Sequence, residues 1–354
     1  MTDHKAFLER LISTVIKEGG SDLHLSEGRH PSIRVSGDLV PLQKEAVLTK
    51  EDTLGLLSEL LTEEEKEDFL TNKEKDFSYS YGNEARLRCN AFFQGGNISV
   101  ALRLIPRVIK SIEDLNLPPI LNSFSERNQG FFLVVGPVGQ GKSTTLASML
   151  ENINVNRSEH ILTIEDPIEY IFDQKKSIID QREVGIDTKS FTGALNRMFR
   201  QDINVAMIGE MRDRNTIETA VTAAETGHLI FSTLHTNNAS QTIDRIIDSF
   251  DSLEQVQIRA QLASSLMGVF SQRLVKRISG GMIPAYELLI NNKAVANLIR
   301  ESRTHEIDGL IEISSDLGMM SMERSLANLV QKGEVTLEEA RIHSLNPALL
   351  DKLL

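Results

Sequence analysis

Residues 136–144 read Gly-Pro-Val-Gly-Gln-Gly-Lys-Ser-Thr and satisfy the phosphate-loop pattern G-x-x-x-x-G-K-[ST]. Gly136, Gly139 and Gly141 let the backbone wrap a phosphate chain, and Gln140 completes the loop. Lys142 has the reach for the β- and γ-phosphates, Ser143 supplies the hydroxyl that would hold Mg²⁺, and Thr144 completes the nucleotide-binding set. Such a loop binds nucleotide; hydrolysis also needs carboxylates. Val205-Ala206-Met207-Ile208-Gly209-Glu210 is an apolar run ending in an acid, the Walker B arrangement with Glu210 in the metal-binding place. A second acidic group, Glu165-Asp166-Pro167-Ile168-Glu169, follows another apolar run, and Glu165 or Glu169 is the candidate base for the attacking water. His228 and His235 bracket the apolar run Leu229–Leu234 and are candidate γ-phosphate sensors.

These groups need elements to hold them. Phe131–Val135, Ile161–Ile164, Val205–Ile208 and Leu229–Leu234 read as short buried strands, with helical stretches between them. That alternation predicts an α/β domain with a mostly parallel sheet and its ligand at the strands' carboxyl edge. From Leu253 onward the pattern reads as helical, ending in several short helices from about residue 293. Residues 1–104 read differently. Phe7, Leu8, Leu11, Ile12, Val15 and Ile16 line one face of a helix stopped by Gly19-Gly20, and a hairpin is expected around Gly37. Glu51 to Leu70 reads as one helix. Segments 86–91 and 99–104 alternate around Gln94-Gly95-Gly96-Asn97, giving a β-ribbon with Arg86 and Arg88 on one strand and Arg103 on the other. A smaller α+β domain over 1–104, a linker over 105–112 and an ATPase domain over 113–354 follow from these breaks.

Composition narrows the partners. Of 354 residues, 38 are Lys or Arg and 50 Asp or Glu, a net charge of −12 that argues against direct nucleic-acid binding, although a hexameric nucleic-acid translocase shares this kind of core. The single cysteine, Cys89, excludes a disulfide framework and a cysteine-rich zinc site and fits a reducing cytoplasm. No apolar run reaches the roughly 18 residues of a membrane helix.

Together, 163–169, 209–213 (Gly-Glu-Met-Arg-Asp), and 226–236, from Thr-Gly-His to Leu-His-Thr, resemble the Asp box, Walker B and His box of the secretion ATPases of type II secretion and type IV pili. The resemblance runs from Ser21-Asp22-Leu23-His24-Leu25 to Ile307-Asp308-Gly309-Leu310. It implies a homohexamer of subunits, each with a PAS-like N-terminal domain and a RecA-like P-loop ATPase domain, using ATP and Mg²⁺. It also implies that Arg88 and Arg103, with Arg86 as a third candidate, complete the ATP site like arginine fingers. Assembly and secretion motors of this kind carry a four-cysteine zinc motif, so the lone Cys89 favours pilus retraction. The implied location is cytoplasmic, against the inner membrane through a pilus platform protein, with a paralogous retraction ATPase as a further partner. An accessory retraction motor and an assembly or secretion motor are the neighbouring alternatives. Ala296 stands where the retraction branch has an arginine.

Overall fold

A computed structural model describes residues 3–35, 37–82, 85–105 and 108–354. Residues 1, 2, 36, 83, 84, 106 and 107, which fall in the expected first domain and linker, lie outside the described residues. The chain divides into two compact units: Met1–Val108 with Glu169–Ile171, and Ile109–Ile168 with Phe172–Leu354.

In the first unit, α1 (His4–Lys17) starts at Asp3, whose carboxylate accepts from Ala6 N at 3.0 Å, and buries Phe7, Leu8, Leu11, Ile12 and Val15. Strands β1 (Asp22–Ser26), β2 (Ser32–Val35) and β3 (Asp38–Pro41) lead to α2 (Lys50–Leu60) and α3 (Glu63–Asn72). Strands β4 (Glu74–Tyr81), β5 (Ala85–Gln94) and β6 (Asn97–Ile105) complete an antiparallel sheet ordered β3-β2-β1-β6-β5-β4. The β5–β6 turn places Gly95 and Gly96 at φ 56° and 84°, left-handed values that glycine adopts without strain. The helix expected over 51–70 is two helices. Thr62 caps the second by accepting from Glu65 N, and the Glu65 carboxylate accepts from Thr62 N at 2.9 Å. This reciprocal capping box begins a new helix where the apolar pattern alone reads as continuous.

The second unit opens with α4 (Leu121–Ser125) and β7 (Gly130–Val135), which is buried along its whole length. Then come α5 (Lys142–Asn156), β8 (His160–Glu165), β9 (Ile178–Glu183), α6 (Phe191–Met198), β10 (Val205–Ile208), α7 (Arg214–Glu225) and β11 (Leu229–Leu234). After α8 (Ala239–Ile247) and α9 (Ser252–Ser265) the chain forms an antiparallel hairpin, β12 (Leu266–Lys276) and β13 (Met282–Ile290). The expectation of helix from Leu253 onward is therefore corrected at 266–290. Both hairpin strands are buried on two faces over most of their length, so neither sequence shows the alternation of a half-exposed strand. Helices α10 (Lys293–Arg300), α11 (Ile307–Ile313), α12 (Met322–Gln331), α13 (Leu337–His343) and α14 (Pro347–Leu353) follow.

The sheet order is β13-β12-β7-β11-β10-β8-β9, parallel throughout except for the β12–β13 pair. Helices pack on it through a core that includes Phe131, Leu133, Ile164, Ile208, Ile230 and Ile243. The carboxyl ends of β7, β8, β10 and β11 thus lie along one edge, and the loops leaving that edge carry the chemistry. Among the described residues no helix is long and apolar enough to cross a membrane.

Candidate functional site

The loop from Gly136 to Gly141 joins β7 to α5, so its backbone amides gather at a helix N-terminus. Its glycines are sterically required. Gly136 has φ 142°, and a Cβ there would stand 2.4 Å from the carbonyl oxygen of Gln272. Gly141, at φ 79°, is the N-cap of α5, and its Cβ would meet Gln272 Nε2 at 2.9 Å. Gly139 is also left-handed, at φ 78°. The loop is tied to β12 at several points: Gln272 Nε2 donates to the Gln140 carbonyl at 2.8 Å, and Leu274 N donates to Gln140 Oε1 at 2.7 Å.

Lys142 is only 8% exposed. Its ammonium donates to the carbonyls of Gly136 and Pro137, both at 2.8 Å, and lies 3.4 Å from His235 Nδ1. His235 Nε2 in turn lies 3.4 Å from Glu210 Oε2, and Arg212 donates to Glu210 Oε1. An imidazole protonated on Nε2 satisfies both of its neighbours, accepting from the ammonium and donating to the carboxylate. Lys142, His235, Glu210 and Arg212 therefore form one connected polar row. The hydrogen bond to Glu210 raises the Arg212 guanidinium above its ordinary value against the effect of burial, and the charges of Glu210 and Asp166 add to the rise.

The turn carrying Glu210 is held from both neighbouring strands. Gly209 N donates to the Ile164 carbonyl at 2.8 Å. Ser232 and Thr233 of β11 donate their hydroxyls to the carbonyls of Ile208 and Gly209 at 2.8 and 2.6 Å. Glu165 ends β8, is 6% exposed and accepts from the Thr163 hydroxyl at 2.7 Å. Gly209 keeps this approach close, since a Cβ there would sit 3.3 Å from the Ile164 carbonyl oxygen. Glu165 thus belongs to the same unit as Lys142 and Glu210, whereas Glu169 groups with the N-terminal unit.

His228 is not brought to this group. It precedes β11 at the sheet's opposite edge, and the six residues of that strand, about 23 Å of extended chain from end to end, separate it from His235. There its Nδ1 lies 3.1 Å from the Ala223 carbonyl, and its ring meets Phe199 edge-on at 5.3 Å. Within this subunit the structure thus brings His235, and not His228, to Lys142 and Glu210.

On the N-terminal sheet, register makes a transverse row: Arg34 opposite Asp22, Asp22 opposite Arg103, and Arg103 opposite Arg88. Two arginines directly opposite repel, and Asp22 offsets this by accepting from Arg103 Nε at 2.8 Å. Burial would raise the Asp22 carboxyl, but the Ser21 hydroxyl and the Arg103 guanidinium outweigh it and hold the group below its ordinary value. Asp22 engages Arg103 through Nε, and the Arg103 side chain remains 65% exposed, beside the exposed Arg88.

Sequence reading missed several supports. Thr163 and Arg212 lie inside the motifs, two residues from the Glu165 and Glu210 they contact, whereas Asp22 and Gln272 act on partners remote in sequence. Glu287 on β13 is another. It is buried, accepts from Ala239 N at 2.8 Å and so fixes the start of α8, just past His235. Burial raises its carboxyl to about 8, with Asp308 and Glu323 adding to the rise and Ala239 N and Arg273 opposing it.

The glycine cradle followed by Lys142 fits a nucleoside triphosphate, and the hydroxyl of Ser143 with the carboxylate of Glu210 is a hard oxygen set that fits Mg²⁺. Comparison with known proteins agrees in kind. Residues 3–339 match the family described as type II/IV secretion system protein. The type IV pilus retraction ATPase PilT of Pseudomonas aeruginosa is 42% identical over 94% of this chain and 97% of its own length. The type IV pilus ATPase PilU of the same organism is 39% identical over 95% of this chain and 88% of its own. A crystal structure of the pilus retraction motor PilT with bound ADP superimposes with a TM-score of 0.91 at 44% identity, covering 97% of this chain and 98% of that one.

Proposed function

Since the chain belongs to the type II/IV secretion system protein family, we propose that it is the ATPase motor that retracts type IV pili, hydrolysing ATP with Mg²⁺ to draw pilin subunits out of the filament. The observation that carries this reading is the connected row from the glycine cradle through Lys142 and His235 to Glu210, in a fold shared along nearly its whole length with a retraction motor.

The roles follow from the geometry. The amides of 136–141 hold the phosphates, and Lys142 exchanges its two carbonyl partners for the β- and γ-oxygens when nucleotide binds. Ser143 and Glu210 would hold Mg²⁺, which when bound would neutralise charge on the phosphates. Glu165, oriented by the Thr163 hydroxyl, accepts the proton of the attacking water; Glu169 is the alternative base from the N-terminal unit. His235, between Lys142 and Glu210, is the group of this row that senses the γ-phosphate. Arg88 and Arg103 stabilise charge on the transferring phosphoryl group, with Asp22 presenting Arg103. The working form is a homohexamer in the cytoplasm, docked at the inner membrane on the pilus platform protein and acting beside a paralogous retraction ATPase.

Steady-state hydrolysis by the purified chain tests the enzymatic half. Turnover should require Mg²⁺ and fall at least 100-fold in Lys142→Ala and in Glu210→Gln. Turnover at the wild-type rate in Lys142→Ala would sink the assignment.

A further inference from the structure

We propose that Gln272 is a positioning residue for the phosphate loop, clipping it in its nucleotide-receptive shape before nucleotide arrives. The proposal deepens the ATPase reading and rests on it. Strand β12 continues from Leu266 to Lys276, but its pairing with β7 ends at Ser271 opposite Val135, because β7 gives way to the phosphate loop there. Residues 272–274 therefore extend past the end of β7, and the loop takes the edge that β7 has vacated.

The docking is reciprocal. Gln272, 3% exposed, uses both ends of its amide: Nε2 donates to the Gln140 carbonyl at 2.8 Å, and Oε1 accepts from the Thr145 hydroxyl at 2.6 Å. Gln140 returns the contact by accepting from Leu274 N at 2.7 Å. The loop's first glycine approaches the backbone carbonyl of Gln272 so closely that no Cβ fits between them. The start of the loop, its centre and the first turn of α5 are thus all gauged against one residue. None of these contacts touches the place of the phosphates, so Gln272 acts through the loop.

A preformed cradle removes the ordering cost of binding. It grips the phosphates alike in the ground state and the transition state, so loosening it should weaken binding more than it slows chemistry. Gln272→Met keeps the length and loses both hydrogen bonds; Thr145→Val keeps the shape and loses one. With two bonds lost, ADP affinity in Gln272→Met should fall about tenfold and the KM for ATP should rise about as much, with kcat within roughly threefold. Thr145→Val should show a smaller change in the same direction. Adding it to Gln272→Met should cost little more, because the two variants remove the same bond.

The readouts are titration with a fluorescent ADP analogue, steady-state kinetics and the thermal midpoint of the nucleotide-free protein. A merely structural role predicts a lower midpoint with unchanged ADP affinity in the folded fraction, and that result overturns the proposal. So does a kcat that collapses while KM holds. If Gln272→Met does not fold, Thr145→Val decides: ADP affinity equal to wild type overturns the clip. ADP binding that is lost in Lys142→Ala but kept in both clip variants refutes the clip alone. Wild-type protein that binds no ADP refutes the nucleotide-site reading and the clip with it.

Discussion

Glu287 should make the fold less stable as pH rises, and Glu287→Gln should remove that dependence. The carboxyl is buried between β13 and α8 with its group raised to about 8, from an ordinary value of 4.5. A raised acid is held protonated in the fold, while the unfolded chain gives its proton up above about 4.5. Stability from this group is thus complete below that pH and is lost progressively until about 8. Between pH 6 and 9 the loss comes to roughly 2 to 3 kcal/mol, taking 1.36 kcal/mol for each unit over which only the unfolded chain ionises. For a unit of this size that is a shift in Tm on the order of 5–10 °C. A glutamine still accepts from Ala239 N and never ionises. Melting followed by circular dichroism at pH 6 and pH 9 should show the wild type losing more than the variant by that margin, since other titrating groups are common to both. Asp308 and Arg273 lie near the same carboxyl, and burial, the main cause of their own shifts, is common to both proteins. Equal losses in wild type and variant, or a variant less stable at pH 9, would refute the assignment of a buried protonated acid.

Two further outcomes follow from the site. Gly136→Ala forces a Cβ to within 2.4 Å of a strand carbonyl at a backbone angle alanine avoids, so the loop must shift, and nucleotide affinity should drop by about 100-fold or more in a titration. Thr163→Val takes the hydroxyl from Glu165 Oε1; if Glu165 is the base, kcat should fall about tenfold with the KM for ATP nearly unchanged, as steady-state kinetics will show.

How much of this was legible depends on where each signal resides. The phosphate loop, its strand β7 and the acids ending β8 and β10 are local: short apolar runs with a glycine or carboxylate at one end. The spacing of His228 and His235 was equally visible, but the six residues of β11 carry the two to opposite edges of the sheet, which separates them within this subunit. Strands β12 and β13 were hidden because double-sided burial erases alternation, and Gln272 was hidden with them. The Gly280-Gly281 pair, at φ 91° and 77°, was the available signal of a hairpin. The break between α2 and α3 was written in Thr62 and Glu65, a capping box that the leucine pattern overrode. Asp22 and Glu287 could not be read at all, because their meaning lies in Arg103 and Ala239, partners that only the fold supplies. Position 296, where alanine replaces an arginine of the retraction branch, lies on α10 at 8% exposure within the apolar core, so here the side chain serves packing.

The most direct test of the motor is a count of surface pili on cells lacking this chain, complemented with wild type or with Glu210→Gln. A retraction ATPase predicts excess pili that fail to retract, returned to normal by wild type and not by Glu210→Gln. Cells without pili would contradict retraction and indicate an assembly motor, and unchanged piliation would contradict a primary role in retraction.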